Sequence, residues 1–266
     1  MRIFHVMMIV LFACTPLNAH EPLIVAHRGA SRDAPENTIP AFELAWKQGA
    51  DAIEGDFHLT KEGKIVCIHD ANTKKVAGRN LVVSKSTLAQ LRELDVGAYR
   101  GNDFKGTAIP TIAEVFATVP QGKKIYVEIK CGAEIIPQLL KEVDKSGLKK
   151  EQIVMICFKK NVIQALKTKA PQYRAYWLAS FRKDKSGKIT PSIQSALGTL
   201  SQIKADGISS SKNVIDHAFV NRIKEKGYEY HVWTIDDVKT AKRFKMWGAQ
   251  SITTNAPGYI KKTLVK

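Results

Sequence analysis

Leu23-Ile24-Val25-Ala26-His27-Arg28-Gly29-Ala30 is an apolar run of strand length that stops on a histidine and an arginine. An open doubly wound sheet usually follows its first strand with a glycine-rich turn, and Arg28-Gly29-Ala30 supplies none. Outward from this stretch, strand-like runs recur at Ala52–Phe57, Ile125–Ile129, Ile153–Phe158, Arg174–Leu178, Gly207–Ser210, Tyr230–Thr234 and Ser251–Thr253. Helical patterns fall between them at Pro40–Lys47, Ile112–Ala117, Ile135–Lys145, Asn161–Lys169 and Asp236–Met246. Eight strands alternating with helices predict an α/β chain closed into a (β/α)8 TIM barrel. The length of 266 residues suits one such domain, since these barrels need about 250.

One region breaks the rhythm. Between Lys64 and about Gly106 lie a short strand, Ile65–His69, a polar stretch, Asp70–Asn80, and a helix around Ser86–Leu94. That is too long for an ordinary βα loop, and it predicts a small inserted cap after the second strand, over one mouth of the barrel.

The first residues read as a leader. Arg2 is followed by the apolar stretch Ile3–Ala13, then by small and polar residues up to Leu17-Asn18-Ala19. This is the pattern of a signal peptide spanning residues 1–19, with the folded domain at 20–266 and a secreted or periplasmic location. The alternative is a lipid anchor on Cys14, because Leu11-Phe12-Ala13-Cys14 resembles a lipoprotein box. Beyond the leader stand Cys67, Cys131 and Cys157, an odd number without zinc-site spacing, and no disulfide framework is expected. The net charge of +16 raises the question of nucleic acid. Yet the basic residues are scattered in pairs such as Lys123-Lys124 and Lys159-Lys160, without a recognition helix or an aromatic platform. The reading is a solvated basic surface that attracts anions, whether anionic substrates or a membrane surface, and no nucleic-acid partner.

In this class of barrel, chemistry sits at the C-terminal ends of the strands. His27 and Arg28 emerge there as a proton carrier and an anion clamp, although His27 taken alone reads equally as structural. Thr38 or Asn37 would cap the helix beyond. Glu54 and Asp56 point to the same side by period-two alternation, and like charges so close are tolerated mainly around a cation. Glu128 on the next strand would complete an oxygen set suited to one divalent cation, Ca²⁺ or Mg²⁺. Lys130 shares its face and would neutralise a phosphate, and His69-Asp70 adds a second histidine. As a set, these residues suit phosphoryl chemistry. His58 shares the face of Glu54 and Asp56 and reads as pocket wall or core rather than ligand. His231 reads as core, and Trp177 equally as substrate platform or packing.

At these residues the chain resembles the glycerophosphodiester phosphodiesterase family. The matching segments include His27-Arg28-Gly29, Pro35-Glu36-Asn37-Thr38, Glu54-x-Asp56, His69-Asp70, Val127-Glu128-Ile129-Lys130, Val232-Trp233-Thr234 and Thr253-Thr254-Asn255-x-Pro257, in family order. The resemblance implies His27 and His69 as general acid and base, Glu54, Asp56 and Glu128 as ligands of the cation, and Arg28 and Lys130 as phosphate binders. It implies Trp233 beside the glycerol moiety of a small glycerophosphodiester. Asn255 departs from the aspartate usual in the family, which bears on local packing more than on activity. A related expectation is a lysophospholipase D-type enzyme with the same chemistry on an acylated substrate at a membrane.

Overall fold

The computed structural model describes residues 21–264. The leader and the alternative anchor on Cys14 lie outside the described residues. The strands are β1 (Leu23–His27), β2 (Ala52–Leu59), β3 (Ile65–Cys67), β4 (Lys124–Ile129), β5 (Ile153–Cys157), β6 (Arg174–Ala179), β7 (Arg182–Lys183), β8 (Ile189–Thr190), β9 (Gly207–Ser211), β10 (Glu229–Trp233) and β11 (Ser251–Thr254). Among the described residues, β1, β2, β4, β5, β6, β9, β10 and β11 pair in parallel, in that order, and β11 returns to β1. The sheet therefore closes into the TIM barrel that the alternating pattern predicts, and no barrel strand leaves an unpaired edge.

Closure divides each strand by parity. Val25, Ala52, Tyr126, Val154, Ile156, Tyr176 and Leu178 meet inside the barrel. Their neighbours Ile24, Ile53, Ile125, Ile153, Met155 and Trp177 pack outward into the larger core beneath the helices. That larger core takes the apolar stripe of each helix, such as Val162, Ile163 and Leu166 of Lys160–Lys169. Three helices that the periodicity did not single out, Ile193–Ile203, His217–Glu225 and Pro257–Leu264, complete the ring. Their stripes are weakened by Ser, Thr and Lys, and docking onto the barrel decides them. Between β6 and the first of these, a small antiparallel hairpin pairs Arg182 with Thr190.

The insertion is a unit with its own apolar centre: Val66, Ile68, Val76, Val83, Leu91, Leu94, Val96 and Ile109. It is anchored where β3 runs antiparallel along the end of β2, pairing Phe57 with Cys67. The strand ends at Cys67 and not at His69; Ile68 N–H still donates to the Asp56 carbonyl of β2, in register with the ladder, and His69 lies beyond it. The helix there is also shorter than the pattern suggests, Leu88–Arg92, opened by a Thr87–Gln90 capping box. The Tyr99 hydroxyl accepts from Glu36 N–H at 3.3 Å, and Arg100 donates to the Ser31 carbonyl at 3.0 Å. The insertion thus braces the loop after β1 and forms one wall of the C-terminal mouth.

That loop leaves no room for variation at Gly29. Its φ is +80°, and a Cβ there would lie 2.6 Å from the Ala41 carbonyl carbon. Thr38 caps the following helix, accepting from Ala41 N–H, whereas Asn37 faces inward to the barrel.

Candidate active site

Parity and register together assemble the site. Inward-facing Glu54 and Asp56 lie on β2, and the parallel register sets Asp56 beside Glu128 of β4 and His27 of β1 beside Glu54. One oxygen from each of the three carboxylates lies within 4.8 Å of the others, and all three residues are buried. Among the described residues Glu54 Oε1 accepts no hydrogen bond, and Asp56 Oδ1 has only the Lys130 ammonium at 3.3 Å, which is not aligned to donate to it. A buried carboxylate oxygen without a donor is costly, and an all-oxygen set with two such atoms fits a hard divalent cation.

The cations nearby balance part of this charge. Lys130 Nζ lies 2.8 Å from Glu128 Oε1 and 3.3 Å from Asp56 Oδ1. Arg28 Nε lies 3.3 Å from Asp56 Oδ2, close enough to attract it but not aligned to donate. Arg28 also has φ 57°, which turns its N–H onto Glu54 Oε2 at 2.9 Å. Burial, then the repulsion of Asp56, pushes the Glu128 carboxyl up to about 7, and Glu54 is raised by the same two causes. Burial would raise Asp56 as well, but Lys130 and Arg28 outweigh it and hold Asp56 below its ordinary value. Three ionised carboxylates against two cations leave one negative charge over. A divalent cation reverses that sign and makes the site receptive to a phosphodiester monoanion.

Asn37 holds the centre of the cluster. Its Nδ2 donates to Asp56 Oδ2 at 2.8 Å, and its Oδ1 accepts from Asp56 N–H at 3.1 Å. It also has φ 60°, a conformation asparagine tolerates better than most residues. Asn37→Ala is expected to cost on the order of 3 kcal/mol, since it strands three buried groups, the Asp56 carboxylate, the Asp56 N–H and the Cys67 thiol, of which the first is charged. A urea midpoint unchanged at constant slope would contradict this.

His27 and His69 line the same cavity above the carboxylates, together with Arg28, Lys130 and Trp233. The eight residues to which the family resemblance assigns a role therefore converge on one mouth. The His27 ring is bound through Nδ1 to Asn255 Oδ1 at 2.7 Å, and burial, then Arg28, lowers its pKa. His69 Nδ1 lies 2.7 Å from Asp70 Oδ1, and this bond holds the Asp70 carboxyl below its ordinary value. Trp233 Nε1 donates to the Ser209 carbonyl, and Phe158 packs edge-on against its ring at 5.6 Å. Tyr126, Ile156 and Leu178 add an apolar lining, and Trp233 packs against the cluster they belong to.

Other residues fall elsewhere. His58 is buried, and its Nε2 lies 3.2 Å from the His69 carbonyl, so it supports the His69 loop from beneath. His231 stacks on Tyr176 and bonds Ser251 Oγ deep in the barrel. Trp177 faces the helices and donates to the Phe158 carbonyl. Asn37 and Asn255 fall within the segments that match the family, but the sequence assigns neither a role in the site, reading Asn37 as a helix cap and Asn255 as local packing. Asn255 is more than local packing, because it holds His27; the two are 228 positions apart, and no local pattern links them.

A closed parallel barrel with a buried carboxylate triad and two histidines at its C-terminal mouth is an arrangement suited to the hydrolysis of phosphate esters. The glycerophosphoryl diester phosphodiesterase family profile matches residues 27–259. A glycerophosphodiester phosphodiesterase of Caldanaerobacter subterraneus is 31% identical over 242 residues, covering 88% of this chain and 94% of its own. A lysophospholipase D of Rattus norvegicus is 34% identical over 152 residues, 52% of this chain and 48% of its own. A phosphodiesterase of Oleispira antarctica, solved with the product sn-glycerol-3-phosphate, superimposes with a TM-score of 0.83 at 24% identity, covering 92% of this chain and 97% of that one. The chain belongs to the glycerophosphodiester phosphodiesterase family and is a phosphoric diester hydrolase.

Proposed function

We propose that this chain hydrolyses water-soluble glycerophosphodiesters to sn-glycerol 3-phosphate and an alcohol, with His27 and His69 as the proton carriers. The observation that carries the reading is the meeting of both histidines with the carboxylate triad in one cavity. Glu54, Asp56 and Glu128 would hold a Ca²⁺ or Mg²⁺ ion, which polarises the phosphate when bound. Arg28 and Lys130 stand beside these carboxylates and hold the diester's non-bridging oxygens. One histidine removes the proton from the attacking hydroxyl, by family resemblance the substrate's own glycerol 2-hydroxyl. The other protonates the leaving alkoxide, and the roles reverse when water opens the cyclic phosphate. Trp233 packs against the glycerol carbons. The product bound to the Oleispira enzyme supports the product assigned here.

The test is release of glycerol 3-phosphate from glycerophosphocholine, glycerophosphoethanolamine and glycerophosphoglycerol, with and without chelator. Turnover of none of the three would end this reading. A second reading, hydrolysis of lysophospholipid, draws on the partial similarity to the rat lysophospholipase D and on Phe158, which is 44% exposed at the lip. Faster turnover of lysophosphatidylcholine than of glycerophosphocholine would favour it.

A further inference from the structure

Asn255 follows the last residue of β11 and sits between His27 and a carboxylate. Its Oδ1 lies 2.7 Å from His27 Nδ1 and 3.0 Å from Ser31 Oγ. Its Nδ2 lies 2.7 Å from Asp236 Oδ2. The other oxygen of Asp236 is occupied, accepting from Asn255 N–H at 2.7 Å and from Thr254 Oγ1 at 2.9 Å.

This chain of bonds has one consistent proton pattern. A carboxylate only accepts, so the amide nitrogen of Asn255 must face Asp236. The amide oxygen then faces Ser31 and His27. An amide oxygen also only accepts, so the proton of the neutral His27 ring must sit on Nδ1. Nε2 is left bare, as an acceptor for a proton arriving from the cavity that His27 lines.

We infer that Asp236, acting through Asn255, sets the tautomer of His27 so that Nε2 is the proton-accepting atom, which makes both residues positioning residues for the reaction. The inference rests on the proposed role of His27. Asp236 is exposed, and an exposed hydrogen bond contributes little to stability. A merely structural pair would therefore leave turnover almost unchanged when it is altered.

Asp236→Asn is the discriminating substitution, because it changes one donor and almost no volume. The oxygen held by Asn255 N–H and Thr254 Oγ1 is retained, so a new amide nitrogen faces Asn255. Asn255 then turns its own oxygen toward position 236 and its nitrogen toward His27. The His27 proton moves to Nε2, where it blocks acceptance. Adding Asn255→Asp restores the pattern, since the new carboxylate accepts from both position 236 and His27 Nδ1. Asn255→Asp alone sets two carboxylates against each other.

The experiment measures steady-state kinetics on glycerophosphocholine and ¹⁵N shifts of the His27 ring in the full chain. Asp236→Asn should lower kcat at least about 10-fold and up to about 10⁴-fold, the upper figure being the loss seen when a carboxylate-to-amide change leaves a catalytic histidine in the wrong tautomer. KM should stay within about threefold, and the Nδ1 and Nε2 signals should exchange character. The double variant N255D/D236N should recover most of kcat and the original tautomer. Wild-type kcat in Asp236→Asn overturns the inference. So does a fall in kcat with the tautomer unchanged, or a restored tautomer without recovery of kcat. His27→Ala serves as the control: wild-type turnover there would refute the catalytic role of His27 itself, whereas the ring ¹⁵N shifts judge the Asp236–Asn255 arrangement separately.

Discussion

His27→Ala and His69→Ala are each expected to lower turnover of glycerophosphocholine by about 10²- to 10⁴-fold, the span typical of a positioned acid or base. Fold and cation affinity should stay close to wild type. The three carboxylates converge without help from either ring, and the nearest described partners of the histidines are Asn255 and Asp70. Both rings line the mouth, so truncation opens space to water instead of leaving an apolar void. Phosphate affinity should persist through Arg28 and Lys130. Glu128→Ala should differ in kind: it removes one of three ligands, weakens cation binding first, and regains part of its rate in excess cation. Turnover measured against cation concentration for the three variants separates these effects. If added cation rescues the histidine variants as readily as Glu128→Ala, the histidines are ligands and the division of labour fails.

Chelation is expected to abolish turnover and, at alkaline pH, to destabilise the fold. The direction follows from the carboxyl groups. Glu128 is raised from 4.5 to about 7 by burial and then by Asp56, so the folded state holds its proton more tightly than the unfolded chain does. The corresponding stability is fully present below pH 4.5 and is lost as the pH climbs through 7. Glu54 shifts in the same direction. Asp56 shifts oppositely, and its contribution disappears only in more acid solution, below its ordinary 3.8. For Glu128 the loss is of the order of 3 kcal/mol, at about 1.4 kcal/mol per unit. A bound cation offsets it, so Ca²⁺ or Mg²⁺ should raise Tm more at pH 8 than at pH 5. The difference should be roughly 6–12 °C for a chain of this size, and Glu128→Gln should reduce it. Equal cation-induced shifts at both pH values would show that no cation relieves these carboxylates.

Much of the site is legible in the sequence, and the reason is parity. In a strand of a closed barrel, alternate residues face inward, so Glu54 with Asp56 and Glu128 with Lys130 declare a shared face by spacing alone. The same rule sets His231 below Trp233 and brings His58 onto the correct side. Strand ends are less legible. Pairing of β3 with β2 ends at the Ile68 N–H to Asp56 bond, which places His69 in the loop, and no property of Ile65–His69 signals this.

Local period and residue chemistry suffice for the class of fold, the existence of an insertion and the identity of the groups at the mouth, so the chain's own text carries all three. What those groups touch is settled only when the barrel closes. Asp56 meets Glu128 through barrel register, and Asn37 leaves its helix cap to hold Asp56 because the loop after β1 folds back over β2. Asn255 reaches His27 because barrel closure pairs the last strand with the first. Each of these contacts joins segments far apart in the chain, and their geometry depends on strand register and on closure of the sheet, properties of the whole barrel that no single stretch of residues carries.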